Sequence, residues 1–527
     1  MKRLAAAIAS LVALAGAGSA YAGNQSEFVG HHRQIFRVVV VPELGSSGLR
    51  LLAERGAAVG LVVPNAGPRT SAADAFAGMV RGILYNARLA RPTDSILIRV
   101  VHARTLPKHG PAIVVDLPPQ HTIPNTRRYG VAVLGRGYHG LLVSRLTRIP
   151  GVVSMADVAR TALATANRLR SRSSGDAPAE LVQLESRIKA SRNSTMAGSV
   201  LVLSLLVLFA LFYPAGTPTA LAAALTANLA VGWAGGSDPV ANVALLGLSL
   251  LAGGLLGPTL LRSRLALGSA LVLVLAAYGV AMAVHSPALS LAPMGPELTS
   301  RFFGVSNLIE SLLLAPALLG ARLLGERLGP AAFGVVGLIA LATIAENRLG
   351  SDGGGALVVG VAFAILAAGM WARSWRPVVP ALGGAVLAAF LLLDADAATS
   401  GPDHMRGALH GGVQGLARVA AHRVPLSYSR MLEQWWLVFP ALGAVVASVI
   451  ALRLARSRAD AAVVIALLAA LGTSLLVNDS PGAVAIAGLA SLLAVEGGLV
   501  QRGLTIPVLR RLSLTLPAAV QRPLLQE

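Results

Sequence analysis

The chain has 527 residues, of which 55% are hydrophobic and 13% are charged, so it is far more apolar than a soluble globular protein. Its formal net charge of +20 arises from 44 Lys and Arg against 24 Asp and Glu, and it contains no cysteine. Disulfides, thiolate metal sites and a cysteine nucleophile are therefore excluded.

The first 22 residues have the features of a secretory signal peptide. Lys2 and Arg3 form a basic start, an apolar run follows, and Ala20-Tyr21-Ala22 fits a small-residue cleavage site. An uncleaved membrane anchor is the alternative. Under either interpretation, the residues that follow lie outside the cytoplasm.

Residues 23–175 predict a small extracytoplasmic α/β domain. Short β-branched runs bounded by Gly, Pro or Asn are typical of buried strands, and they are IFRVVVVPEL, AVGLVVP, SILIRVV, AIVVDLP and YGVAVLG. The segments GLRLLAERG, SAADAFAGMVRGILYNARLA and SMADVARTALATANRLR predict helices between or after them. This alternation predicts a largely parallel sheet. An excess of basic residues favours anionic lipid or other phosphate-bearing partners, and nucleic acid is not expected outside a cell.

Residues 176–195 place Leu181, Leu184 and Ile188 on one helical stripe, which predicts a stalk helix. Residues 196–500 then predict a transmembrane domain of about eleven spans. The spans are 196–213, 217–235, 240–257, 265–285, 304–321, 330–345, 353–370, 378–393, 435–452, 461–477 and 483–500. Residues 501–527 form a cytoplasmic tail. Arg-rich connections on the cytoplasmic side favour a multi-pass protein of the cell (plasma) membrane with its N-terminal domain outside.

Four polar clusters fall at the predicted outer ends of these spans: RFFGVSNLIE, ENRLGSDGGG, LLLDADAATSGPDH and LLVNDSPG. Charged side chains at membrane depth cost roughly 2.5–3.5 kcal/mol each on insertion scales, so they usually have a function or a partner. The glycines of the second cluster permit a tightly turned backbone. We expect at least three of the carboxylates Glu310, Asp352, Asp396 and Asp479 to converge in one outward-facing cavity.

The residue types in these clusters suit a phosphate and its metal ion. Carboxylates with neighbouring amide groups suit Mg²⁺ or another divalent cation, so the candidate metal ligands are Glu310, Asp352, Asp394, Asp396 and Asp479. A guanidinium binds phosphate bidentately, so the candidate substrate-binding residues are Arg301, Asn307, Asn347, Arg348 and Asn478. The alternative is that these groups pair with each other and only fasten helix ends. No residue stands out as a nucleophile or general base.

Two stretches of the N-terminal domain resemble the alkaline phosphatase/sulfatase superfamily. GLRLLAERGAAVGLVVPNAGPRTSAADAF resembles its first strand–helix–strand unit, and TRIPGVVSMADVARTAL resembles its late helix. Glu43 stands near the position of an expected metal-binding Asp, Thr70 or Ser71 occupies the nucleophile region, and only His139 represents the late Asp-His pair. The resemblance therefore implies a shortened, inactive relative that binds or positions a ligand.

The order of this domain before a multi-pass region with RFFGVSN, NRLGSDGGG and NDS is similar to that of uncharacterised actinobacterial membrane proteins. The leading hypothesis is a cell-envelope protein that binds or processes a phosphate-bearing, lipid-linked envelope precursor with a divalent cation, in contact with membrane lipid. A transporter or lipid flippase is one alternative. A non-enzymatic assembly or scaffold protein with an inactive phosphatase-like domain is the other.

Overall fold

A computed structural model describes residues 36–83, 98–107, 110–165, 168–285, 287–296, 298, 302–345, 353–372, 428, 434–477 and 480–500. The predicted signal peptide, the cytoplasmic tail and the span at 378–393 lie outside the described residues. Within them, a small α/β domain at the N-terminus is followed by a bundle of apolar helices.

The α/β domain is built on a mixed sheet. Its ten described strands are β1 Arg37–Val40, β2 Ala58–Val63, β3 Arg69–Thr70, β4 Val100–His102, β5 Ala112–Val115, β6 Ile123–Pro124, β7 Tyr129–Leu134, β8 Gly140–Val143, β9 Val152–Ser154 and β10 Arg170–Arg172. The main sheet has the order β10-β8-β2-β7-β5-β1-β4, with β9 also paired to β2, and β3 pairs with β6 separately.

The expectation of a largely parallel sheet is wrong at the centre. Strand β1 is parallel to β4 and β5, but β7 is antiparallel to both of its neighbours, β5 and β2. The described connection from β5 to β7 contains the short strand β6 and no helix. Because parallel strands need a long crossover, usually a helix, a connection without one favours the antiparallel arrangement.

Both faces of this sheet are buried. Val38 and Val40 of β1 point into one core with helices α2 (Ala72–Arg81) and α3 (Met155–Ala162). Val39 points into the other core, with α1 (Ser46–Glu54) and the first turns of the long helix α4. Successive strand residues point to opposite faces, which explains why the strand sequences are apolar throughout instead of alternating.

The bundle begins with α4, Ala177–Phe212, a single helix of 36 residues. The predicted stalk and first span therefore form one continuous helix. The bundle continues through α5 Thr217–Ala234, α6 Pro239–Leu260, α7 Arg264–Val284, the short α8 Pro287–Ser290, α9 Asn307–Leu328, α10 Pro330–Ile344, α11 Gly353–Trp371, α12 Val438–Leu454, α13 Arg458–Val477 and α14 Pro481–Val500.

Eight of the described helices are long and apolar enough to cross a membrane. Helix α5, which carries Asn228 and several threonines, and α10, which has only 15 residues, are not among the eight. The prediction of eleven spans is thus met only in part within the described residues. The fifth predicted span, 304–321, corresponds to a helix that begins later and runs further, from Asn307 to Leu328.

The connecting segment between α7 and α9, described at residues 287–296, 298 and 302–306, enters the protein interior. Its residues 288–296 are all buried although only the first few are helical. Ser191 of α4 donates to the Ala292 carbonyl at 2.7 Å, and the Met294 amide donates to Asn228 Oδ1 at 2.8 Å. Irregular backbone at membrane depth is tolerated where protein surrounds it and satisfies its polar groups, and these contacts meet that requirement.

The connecting segment also joins the bundle to the α/β domain. Arg128 Nη2 donates to the Leu298 carbonyl at 2.8 Å, and the Arg148 guanidinium lies over the Phe303 ring at 3.6 Å. The same junction contains a buried apolar cluster. Its members are Val63, Ile149, Val152, Ile188, Leu291, Leu298 and Phe302. The α/β domain therefore sits directly on one end of the bundle.

Candidate functional site

Of the ten candidate site residues, the structure describes Asn307 and Glu310. Both lie in the first turn of α9 and both are buried, Glu310 completely. The other candidates lie outside the described residues: Arg301, Asn347, Arg348, Asp352, Asp394, Asp396, Asn478 and Asp479. Whether the four carboxylates converge in one cavity therefore stays a prediction.

Helix α9 is the central helix of the described bundle. Its whole apolar stretch is buried, whereas the corresponding stretch of α4, α6 or α12 is only 28% buried. Ser306 caps its first turn by accepting from the Ile309 amide, and its own hydroxyl donates to the Met294 carbonyl. The connecting segment thus fixes the point at which α9 begins, and with it the position of Glu310.

Glu310 lies deep in the bundle. The Ser491 hydroxyl donates to the carbonyl of Ser311 at 2.6 Å, and Ser491 is near the middle of α14, Pro481–Val500. Leu319 packs against Gly498 further along the same pair of helices. The first turn of α9 is therefore level with the middle of α14. Contacts of Gly268 with Leu323 and of Gly320 with Val272 place the same turn level with the last turn of the antiparallel α7. Glu310 thus lies at a helix end, and whether this is the outer end stays a prediction.

Helical geometry indicates which side of α9 carries Glu310. Successive residues are about 100° apart round a helix, so Glu310 points well away from the α14 contact at Ser311. Gly325, within about 60° of the Glu310 direction by the same geometry, lies close to Phe333 of α10 and Met370 of α11. Glu310 therefore faces the side of α9 where α10 and α11 pack, and these two helices bracket the candidate residues 347–352.

A second charged cluster lies at the end of the bundle away from the α/β domain. Arg322, 2% exposed, contacts Asp460 Oδ1 at 2.8 Å and Glu326 Oε2 at 3.1 Å. Arg264 contacts the same Glu326 oxygen at 3.6 Å. Ser457 and Asp460 form a reciprocal cap at the start of α13. The cluster joins α7, α9 and α13 by balanced charges, which is a structural role.

The sequence analysis did not identify this cluster, because the fifth predicted span ended at residue 321 and Arg322 was therefore placed in a connection between spans. Two signals could have found it. Arg322 and Glu326 have the i,i+4 spacing of a helical ion pair, and Ser457 and Asp460 have the spacing of a capping box.

The positions singled out in the α/β domain have different surroundings. Thr70 is 1% exposed, and the Ser71 hydroxyl caps α2 by accepting from the Asp74 amide. His139 is exposed and contacts Ser173 at 3.1 Å. Among the described residues, no group of three or more His, Asp or Glu side chains is placed to hold a metal ion.

The Glu43 amide donates to the Asp116 carboxylate at 3.2 Å, so the two carboxylates lie at the same edge of the sheet. Burial raises the pKa of Asp116, Glu43 raises it further, and backbone hydrogen bonds oppose the shift. Divalent cations such as Ca²⁺ and Mg²⁺ need about six or more oxygen ligands. Two carboxylates without a third protein ligand provide too few of them, so no metal ion is assigned to this pair.

Neither a protein family, nor a curated protein sequence, nor a solved structure matches this chain.

Proposed function

We propose that the protein is a transporter of the flippase type, which moves a phosphate-bearing, lipid-linked envelope precursor across the cell membrane. The observation that carries this proposal is Glu310, a completely buried carboxylate in the first turn of the central helix α9. An enzyme acting at the outer surface would need its acids open to that surface, so the complete burial of Glu310 favours transport over surface chemistry.

General properties of membrane proteins support this choice. Ionisable residues inside transmembrane segments are costly, face the bundle interior and mark substrate or ion pathways. In secondary transporters, the substrate and coupling-ion sites lie near the bilayer midplane, at helices interrupted by non-helical backbone. Glu310 follows a largely buried non-helical stretch, described at residues 291–296 and 302–306, and this stretch is the counterpart of the non-helical backbone at such sites.

The candidate residues take complementary roles in the proposed site. Glu310 and Asp352 would hold Mg²⁺ or another divalent cation through their oxygens, and Arg301 and Arg348 would bind the phosphate. Asn307, one turn before Glu310 on the same helix face, would add an amide ligand. Movement of the charged head group would then need no contact with the hydrocarbon core.

The test is lipid translocation by the full-length protein in proteoliposomes. Two fluorescent probes are used, a phosphatidylglycerol and a polyprenyl phosphate, and translocation is read from quenching by an impermeant reductant. Wild-type protein should accelerate translocation of at least one probe over protein-free vesicles. Glu310→Gln keeps the side-chain shape and removes the charge, so the accelerated rate should fall at least about tenfold, which is about 1.4 kcal/mol of barrier.

Glu496→Gln is the matched control, because Glu496 of α14 is also a buried bundle carboxylate, 8% exposed, and lies outside the proposed site. This variant should translocate like wild type, and both variants should retain the wild-type thermal unfolding profile. Translocation by Glu310→Gln at the wild-type rate, or no acceleration of either probe by wild-type protein, would contradict the proposal.

A further inference from the structure

Three side chains come together where α5 and α7 end beside α4. Arg187 of α4 directly precedes Ile188, which belongs to the apolar cluster at the junction with the α/β domain. Trp233 lies in the last turn of α5, and His285 directly follows α7. The centroids of the Trp233 and His285 rings are 5.3 Å apart. We call Arg187, Trp233 and His285 the rim cluster.

The backbone at the end of α5 orients the Arg187 guanidinium. Its Nη2 donates to the Gly232 carbonyl at 3.1 Å. Gly235 ends α5 with a φ of 79°, in the left-handed region that glycine adopts without strain. A Cβ at Gly235 would lie 3.2 Å from both Cζ and Nε of Arg187, so the guanidinium lies against this backbone. The group is therefore held in place before any ligand binds.

The charge of the rim cluster is not balanced within the part of the chain that the structure describes. Arg187 contacts no carboxylate there, its buried Nε has no acceptor, and its Nη1 makes no hydrogen bond. Burial, and then the charge of Arg187, lower the pKa of His285, and no described carboxylate opposes them. A partly buried cation is costly unless an anion compensates it. The cluster thus suits an anion supplied from outside the chain.

An exposed apolar stripe on α7 leads to the rim cluster. Leu273, Val280 and Val284 are all exposed, and their spacings of seven and four residues put them on one face of the helix. Trp233 is also largely exposed at the same end. On a helix long enough to cross a membrane, such a stripe faces lipid chains, and a tryptophan at a span end marks the level of the head groups. An anion bound at the rim cluster would therefore have lipid chains directly beside it.

We infer that the rim cluster binds the phosphate of an anionic phospholipid in the leaflet on the side of the α/β domain. The Arg187 Nη1 and the His285 imidazole would donate to the phosphate oxygens through charge-assisted hydrogen bonds. The acyl chains would follow the α7 stripe on the surface of the bundle. A head group with net negative charge matches the charge of Arg187, whereas a zwitterionic head group brings a cation of its own.

This site is separate from the Glu310 site. The rim cluster is formed by α4, α5 and α7, whereas Glu310 belongs to α9 and faces α10 and α11. The pKa of His285 responds to the charge of Arg187 and not to that of Glu310. The inference therefore goes beyond the transport proposal and does not depend on it.

The test is solid-state NMR of the full-length protein, labelled with ¹³C and ¹⁵N in histidine, in liposomes of phosphatidylglycerol or of phosphatidylcholine. The His285 signal among the ten histidines is assigned from its loss in His285→Gln. Lipid phosphorus should dephase this signal more strongly in phosphatidylglycerol. The His285 pKa should also be higher there by about 1, because a neighbouring anion favours the imidazolium. Both readouts are local to His285, so lipid bound at Glu310 does not contribute to them.

Variants separate a specific site from the general potential of an anionic surface. Arg187→Gln should remove the difference between the two lipids. Lys189→Gln is the matched control, because it removes an exposed charge two residues further along α4, about 200° round the helix, and should keep the difference. Glu310→Gln should also keep it, whether or not that variant translocates lipid. An unchanged difference in Arg187→Gln would assign the effect to the surface potential and overturn the site.

Inorganic phosphate added to the phosphatidylcholine liposomes distinguishes a lipid from a free anion. It should leave the His285 pKa and the dephasing unchanged. A rise equal to that in phosphatidylglycerol would assign the cluster to free phosphate and overturn the lipid. Equal dephasing of wild-type His285 in the two lipids, a measurement that needs no variant to fold, would overturn the site. None of these results depends on translocation, so failure of this inference is distinguishable from failure of the transport proposal.

Discussion

Asp157 shows how burial acts on a single carboxyl group of the α/β domain. It is 1% exposed in the first turn of α3, where its Oδ2 accepts from the Ser154 amide at 2.8 Å. Burial raises the pKa of Asp157 to about 6, against the opposing effects of hydrogen bonds from Ser154 and Ser144 and of Arg160. The folded state therefore binds this proton more tightly than the unfolded chain does, whose carboxyl titrates near 3.9.

The sign of the resulting pH dependence follows from linkage. Since the folded-state pKa is raised, the contribution of Asp157 to the free energy of unfolding is greatest below about pH 4 and falls as the pH rises to about 6. The loss is on the order of 2–3 kcal/mol. Asp157→Asn keeps an acceptor for Ser154 and should remove this dependence. This pH dependence can be measured by hydrogen exchange of the β2 and β9 amides in the full-length protein, compared between wild type and Asp157→Asn from about pH 4 to about pH 6. Parallel pH profiles for the two proteins would refute the role of Asp157.

At the scale of elements, the connecting segment has little tolerance for added volume. A Cβ at Gly232 of α5 would overlap the Ala288 carbonyl oxygen, so the α5 backbone and the connecting segment are in direct contact there. The Tyr278 hydroxyl donates to the Leu225 carbonyl and accepts from Asn228, which in turn holds Met294. Close backbone approach and a buried hydrogen-bond network fix the same segment.

Gly232→Ala should therefore destabilise the bundle by about 1–3 kcal/mol, because the backbone must shift to admit one methyl group. Gly334→Ala in α10 is the matched control, since a Cβ there meets nothing within 4 Å. Alanine is the better helix former by roughly 1 kcal/mol, so the control should be neutral or slightly more stable. Thermal unfolding in detergent, followed by circular dichroism, compares the two variants. Equal unfolding temperatures would show that the contact is not close in the folded protein.

Elements differ in how far the sequence alone predicts them. The β-branched runs predicted β1, β2, β5 and β7 because local composition determines a buried strand. The direction of β7 was predicted wrongly because it depends on a connection that makes no helix, and local composition carries no such information.

The candidate site illustrates the same limit within the membrane domain. The three-residue spacing of Asn307 and Glu310 predicted a shared helix face, and both lie in the first turn of α9. Their level relative to each neighbouring helix could not be predicted, because hydropathy locates each span along the chain but not its shift relative to its neighbours. That shift is recorded in contacts between distant residues, such as the one from Ser491 to Ser311.

For the whole molecule, the proposed orientation is open to direct measurement because the chain has no cysteine. Glu54 in the α/β domain and Arg456 between α12 and α13 are both exposed. Replaced singly by cysteine, position 54 should react with an impermeant thiol reagent added to intact cells, whereas position 456 should react only after permeabilisation. Position 456 is expected to be cytoplasmic, because Arg-rich connections lie preferentially on the cytoplasmic side of a membrane. Labelling of position 456 in intact cells would reverse the orientation.

The unbroken course of α4 has a mechanical consequence. Thirty-six residues at 1.5 Å per residue make a rod about 54 Å long, with the sheet core packed on its first turns and α14 on its later ones. A stiff rod converts a small angular change at one end into a large displacement at the other. A tilt of about 10° at the membrane would carry the far end about 9 Å, by the same helix dimensions. Any rearrangement that tilted α4 within the bundle would therefore displace the α/β domain sideways by several times as much.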